Sequence, residues 1–195
     1  MAGGPPLAGP DARHDPGRVA VVTPPPGVDW SDWTVIILKP DCLARGLREP
    51  VLVWVQREVQ VVDVRTVWPT EAQIFVHYSD MLPLSAKIGR DVPAELRRIF
   101  VGQPTGLALA YGPNAAPRLR ERLGPTDPAT APADTIRGRF GIDSLRAAMA
   151  EGRLVDNLIH SSDTVEVVPR DFGIWYGPGA AHLLRAPATP SGGTR

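Results

Sequence analysis

Cysteine occurs once in these 195 residues and lysine twice, and both scarcities constrain what the chain can do. A lone Cys42 leaves no partner for an intramolecular disulfide and no C-x-x-C pair for a metal or redox centre. The histidines at 14, 77, 160 and 182 are too scattered to read as metal ligands, so no protein-built metal site is expected. Long apolar runs are also missing: none approaches the roughly 20 residues that span a bilayer, and no basic start leads into an apolar stretch as in a signal peptide. A cytoplasmic protein without a membrane partner is expected. Net charge is absent too, because 21 basic and 21 acidic residues cancel. Nothing in the balance points to nucleic acid, and any anion site must be local. Neither G-x-x-x-x-G-K-[ST] nor G-x-G-x-x-G occurs, which excludes a P-loop and argues against the usual dinucleotide fold.

What is present suffices for one domain of ordinary size: 43% of the residues are hydrophobic. Residues 1–31 are crowded with Pro, Gly and Ala and read as a flexible leader, and 179–195 read as a flexible tail. Between them, 32–178 alternate apolar patterns with punctuation. TVIIL (34–38), VVDVRTVW (61–68), GLALAYG (106–112) and DFGIWYG (171–177) read as strands. Helices are expected over 70–81, capped by Thr70, over 93–101, over 114–124, capped by Asn114 and ended by Gly124, and over 144–152. The run 50–59 favours helix while its valines leave strand open. The order suits an α+β domain of the ferredoxin-like kind, an antiparallel sheet covered on one face by helices.

Several side chains could hold phosphate. Arg118 and Arg122 lie one helical turn apart while Arg120 points roughly opposite, so the three cannot serve one site, and a solvated charged helix accounts for them equally. Arg137 precedes a glycine after a proline-rich loop, where a rigid connection could aim a guanidinium inward. Lys39 is one of only two lysines, the other being Lys87. His160, in NLIHSSD, is neutral near pH 7 and chemically able to attack phosphorus. A lone histidine in an apolar setting is nevertheless more often structural, and this stretch alone leaves both readings open.

Taken in order, the motifs resemble the nucleoside diphosphate kinases. KPDCLARG (39–46) is similar to K-P-D-x-x-x-R-G, His77 and Tyr78 to the family's H-Y pair, and GPTDP (124–128) to G-x-T-[ND]-P. TIRGRFG (135–141) is similar to T-I-R-G-D-F-[GC], NLIHSSD (157–163) to N-x-[IV]-H-G-S-D, and DFGIWY (171–176) to E-[IL]-x-L-W-F. The series runs over about residues 32–177.

The resemblance implies that His160 takes the terminal phosphate of a nucleoside triphosphate such as ATP and passes it to a nucleoside diphosphate. It assigns phosphate binding to Lys39, Arg120, Thr126 and Arg137, a nucleotide contact to Asn157, support of the histidine to Tyr78, and its orientation to Asp171. Ser162 would lie near the transferred group. It implies Mg2+ held mainly by the nucleotide phosphates, and a homo-oligomer, hexamer or tetramer, formed partly through the proline-rich loop. Differences from the pattern fall elsewhere. Val92 stands at the position of a base-stacking phenylalanine, with Leu96 as the other apolar base contact, and Asp171 replaces a glutamate. Ser161 replaces a glycine, Arg139 an aspartate, and residues 143–156 carry an insertion. An active but divergent kinase is expected. The alternatives are a nucleotide-binding module of the same fold with weak turnover, and a phosphohistidine enzyme with another acceptor.

Overall fold

The computed structural model describes residues 26–187. Four strands form one antiparallel sheet: β1 (Trp33–Leu38), β2 (Gln60–Val67), β3 (Thr105–Tyr111) and β4 (Ile159–Ser161), in the order β2-β3-β1-β4. The antiparallel strand order is that of a ferredoxin-like α+β domain. All six residues of β1 are buried, because neighbouring strands flank it and helices cover both its faces. At the edge, β2 is mostly half-buried, with a bulge between Val61 and Asp63.

The helices are α1 (Pro40–Ala44), α2 (Arg48–Val55), α3 (Glu71–His77), α4 (Ser85–Ile88), α5 (Val92–Phe100), α6 (Ala115–Leu123), α7 (Ile136–Phe140), α8 (Leu145–Ala150) and α9 (Val168–Trp175). They cover both faces of the sheet, where cover on one face was expected. The period of two sorts β1 between them. Trp33, Val35 and Ile37 pack with Ile74 of α3, Leu96 and Phe100 of α5 and Phe172 of α9. Ile36 and Leu38 pack on the other side with Val51 and Val55 of α2, Leu119 and Leu123 of α6 and Ile136 of α7. Each fully buried aliphatic of this kind contributes roughly 1.5–3 kcal/mol.

One expected strand is a helix. DFGIWY belongs to α9, where Val168, Phe172 and Trp175 recur at helical spacing and bury one stripe, and Pro169 sits in the first turn. The β-branched and aromatic cluster imitates a strand when read without the preceding VPR. The expected caps divide. Thr70 and Gln73 form a full capping box on α3, whereas Asn114 begins α6 in the left-handed region (φ 51°) and makes no side-chain cap bond.

The packed domain also exceeds 32–178. Val28 and Trp30 rest on the core, with the Trp30 ring 5.7 Å from that of Phe172. At the other end a 3-10 helix, Pro178–Leu183, brings Ala180 and Leu184 into the same core. The start of the segment expected to be a tail is therefore structured. The rest of the expected leader and tail, 1–25 and 188–195, lies outside the described residues. Among the described residues no helix is long and apolar enough to cross a membrane.

Candidate active site

His160 sits at the middle of β4, paired with Ile37 of β1. Cross-strand partners share a face, so its ring lies on the side of the sheet occupied by α3 and α9. The chain reaches it through a strained turn. Leu158 has φ 68°, and the Ile159 amide donates to the Asn157 carbonyl at 2.7 Å, a γ-turn of the rare positive-φ kind. Such strain persists only where packing over-determines it, and here Leu158 is fully buried. The turn makes Asn157 and His160 line one cavity of about 640 Å³.

Cations surround that cavity. Lys39, at the end of β1, is buried, and its Nζ donates to Asn157 Oδ1 at 3.0 Å and to the Val155 carbonyl at 3.3 Å. Asn157 Nδ2 donates in turn to the Thr126 carbonyl at 3.0 Å. Arg137, in α7, is 3% exposed and donates to the carbonyls of Gly124 (2.9 Å) and Ile159 (2.8 Å). It thereby ties the proline-rich loop to β4. Arg120, in the last turn of α6, pairs with Asp163 at 3.0 Å. All these residues except Gly124 and Ile159 line the cavity.

Their electrostatics are unusual. Burial first, and then the neighbouring cations, hold the His160 imidazole neutral well below the ordinary histidine range. Burial also lowers the Lys39 ammonium, and it brings the Arg137 guanidinium down to about 10 with help from Arg120. Desolvated cations whose charge is only partly compensated favour an incoming anion. Among the described residues the buried hydroxyls of Thr34 and Ser161, on the opposite face of the sheet, meet no hydrogen-bond partner.

His77 and Tyr78 pack edge-on at 4.7 Å, and their rings lie 5.0 and 5.7 Å from that of His160. Asp171, expected to orient His160, meets His77 instead: its Oδ1 lies 3.3 Å from His77 Nδ1. Aspartate is one methylene shorter than glutamate, and His77 is the histidine within its reach. Asp171 still lines the cavity, whereas two other expected site residues do not. Val92 is fully buried in the core and is not part of the lining, because the first turn of α5 faces inward; Leu96, one turn on, does line it. Ser162 is also buried outside the lining, and its Oγ accepts the Val35 amide at 3.3 Å.

The lining includes residues that the sequence had not singled out for the site, among them Met81, Ile88, Arg90, Leu145, Met149 and Leu154. Lys87 is another, and its rarity was the one signal that could have pointed to it. Among the described residues no group of three or more His, Cys, Asp and Glu side chains is placed to hold a metal ion.

Fold and site together define a four-stranded α+β domain that presents a buried histidine to a cavity lined by Lys39, Arg120 and Arg137. Residues 32–180 match the family model for nucleoside diphosphate kinase. The chain is 32% identical over 171 residues to a nucleoside diphosphate kinase of Pyrobaculum aerophilum, covering 73% of this chain and 93% of that protein. It is 31% identical over 147 residues to one from Rhodococcus jostii, with the same coverage. A nucleoside-diphosphate kinase from Borrelia burgdorferi, solved with vanadate and ADP as a transition-state mimic, superimposes with a TM-score of 0.67 at 26% identity. That match covers 74% of this chain and 86% of the other. The chain belongs to the nucleoside diphosphate kinase family.

Proposed function

We propose that this protein transfers the terminal phosphate of a nucleoside triphosphate to a nucleoside diphosphate, with His160 as the phosphate carrier. The observation that carries the reading is a neutral His160 facing the same cavity as Lys39, Arg120, Arg137, Thr126 and Asn157. A lone pair on the imidazole attacks the γ-phosphorus, the bond to the β-phosphate oxygen breaks, and the diphosphate leaves. In the second half a terminal oxygen of another diphosphate attacks the phosphohistidine phosphorus and the P–N bond breaks. The protein need do little covalent work. Lys39, Arg120 and Arg137 neutralise the phosphoryl oxygens, and the fixed β4 backbone holds donor and acceptor in line.

For binding, Arg120 would exchange Asp163 for phosphate, and Asn157 and Thr126 would complete the contact. The Asp171–His77 pair would support the imidazole from the α9 side, with the Tyr78 ring beside it. Mg2+ would arrive on the nucleotide's own phosphates, as part of the substrate, and offset charge there. By likeness to the family the protein would form a homo-oligomer, hexamer or tetramer, partly through the proline-rich loop around Pro128–Thr130, which light scattering tests directly.

The direct test is incubation with ATP labelled on the γ-phosphate. An acid-labile phosphoprotein that discharges onto added diphosphate, and that His160→Ala abolishes, is expected. Label that survives His160→Ala would sink the assignment.

A further inference from the structure

The insertion before NLIHSSD is firmly anchored. Ser144 caps α8 by accepting the Ala147 amide at 3.0 Å, and Asp127 accepts the Leu145 amide at 3.1 Å. Arg153 grips Asp143 with both terminal nitrogens, and the Leu154 amide donates to Glu95 of α5 at 2.9 Å. From the far wall of the cavity, the Arg90 guanidinium donates to the carbonyls of Ala148, Arg153 and Met149, filling the C-terminal end of α8. So many ties make α8 a fixed wall.

That wall leaves two large apolar side chains uncovered: Leu145 is 41% and Met149 64% exposed, and both line the cavity of His160. Leu154 and Val155 continue the lining toward the phosphate end, where the Val155 carbonyl accepts Lys39 Nζ and Asn157 follows two residues on. Ile88 and Met81 line it as well. Arg90 and Arg153 are committed to α8 and Asp143, so the apolar side chains of this wall stay open to the cavity, with Lys87 and Asp80 as the nearby charged residues of the lining in sequence. Val92, at the position expected to stack a base, is sealed in the core.

We infer that α8 supplies the nucleobase contact, through Met149 and Leu145, and that Arg90 is the positioning residue that fixes it. This rests on the phosphotransfer reading, because the occupant is the base of the nucleotide whose phosphates reach Lys39, Arg120 and Arg137. A polarizable, flexible methionine suits a flat ring, and the aromatic lining residues Tyr78 and Phe100 are buried beside His160 and Lys39, whereas Met149 is open.

The test is calorimetric titration of the full chain, and of Met149→Ser and Arg90→Gln, with Mg·ADP and with magnesium pyrophosphate, which has no base. The ADP-to-pyrophosphate affinity ratio is expected to fall by roughly five- to tenfold in both variants. Because Met149 is exposed, its variant tests the contact even if Arg90→Gln perturbs folding. An unchanged ratio in Met149→Ser, or equal losses for both ligands, overturns the inference while leaving phosphotransfer standing. A wild-type chain that binds no ADP overturns both.

Discussion

Burial, then the neighbouring His77 and the cations Arg120, Arg137 and Lys39, act together on His160, and their combined effect is measurable. With its folded pKa lowered, the unfolded chain takes up the proton first. Stability therefore falls as pH drops below about 6.5 toward the folded value, and rises again as pH increases through that window. In the free protein the NMR titration of the His160 ring is expected to show a neutral imidazole at pH 6. A midpoint at or above the ordinary histidine value would contradict the cationic environment. Arg137→Met removes a buried donor to two carbonyls as well as a charge. It is expected to cost about 1–3 kcal/mol in urea unfolding and on the order of a hundredfold in kcat/KM. A loss confined to stability would show that Arg137 is structural only.

At the scale of elements, the site depends on how short segments are ended and joined. Gly138 follows Arg137 because a Cβ there would fall on the carbonyl oxygens of Pro132 and Ala131. Gly138→Ala must push α7 away from the proline-rich loop, and is expected to lower phosphotransfer well beyond its effect on thermal midpoint. On α3 the capping box of Thr70 and Gln73 fixes the helix that carries His77, and Gln73 Nε2 also reaches the Ile174 carbonyl of α9 at 3.2 Å. Thr70→Ala is expected to cost about 1 kcal/mol, read from the urea midpoint. Thr70 was legible as a cap because a hydroxyl just before the acidic Glu71 is a local signal, while the Gln73 half of the box came from the structure. The helix α9 was not, since its strand-like IWY cluster becomes a buried helical stripe only when Val168 and Phe172 are packed against β1.

For the whole molecule, two cores on opposite faces of one sheet hold the cavity rigid, so metal removal should affect chemistry and not fold. With EDTA present, transfer from ATP is expected to collapse while the far-UV circular dichroism stays unchanged. A parallel loss of structure would mean that the ion is held by the protein itself.

What the sequence determined by itself is whatever depends on neighbours along the chain: the buried strands of TVIIL and GLALAYG, the Thr70 cap, and the order of motifs that puts Lys39, Thr126, Arg137, Asn157 and His160 at family motif positions. Only the tertiary structure decided matters of reach and facing. Asp171 meets His77, Val92 turns into the core, Ser162 serves the Val35 backbone, and the inserted α8 forms a wall of the cavity. The physical reason is distance. A methylene of reach or one helical residue of rotation changes which atoms touch, and those contacts join segments far apart in the chain, where no local pattern records them.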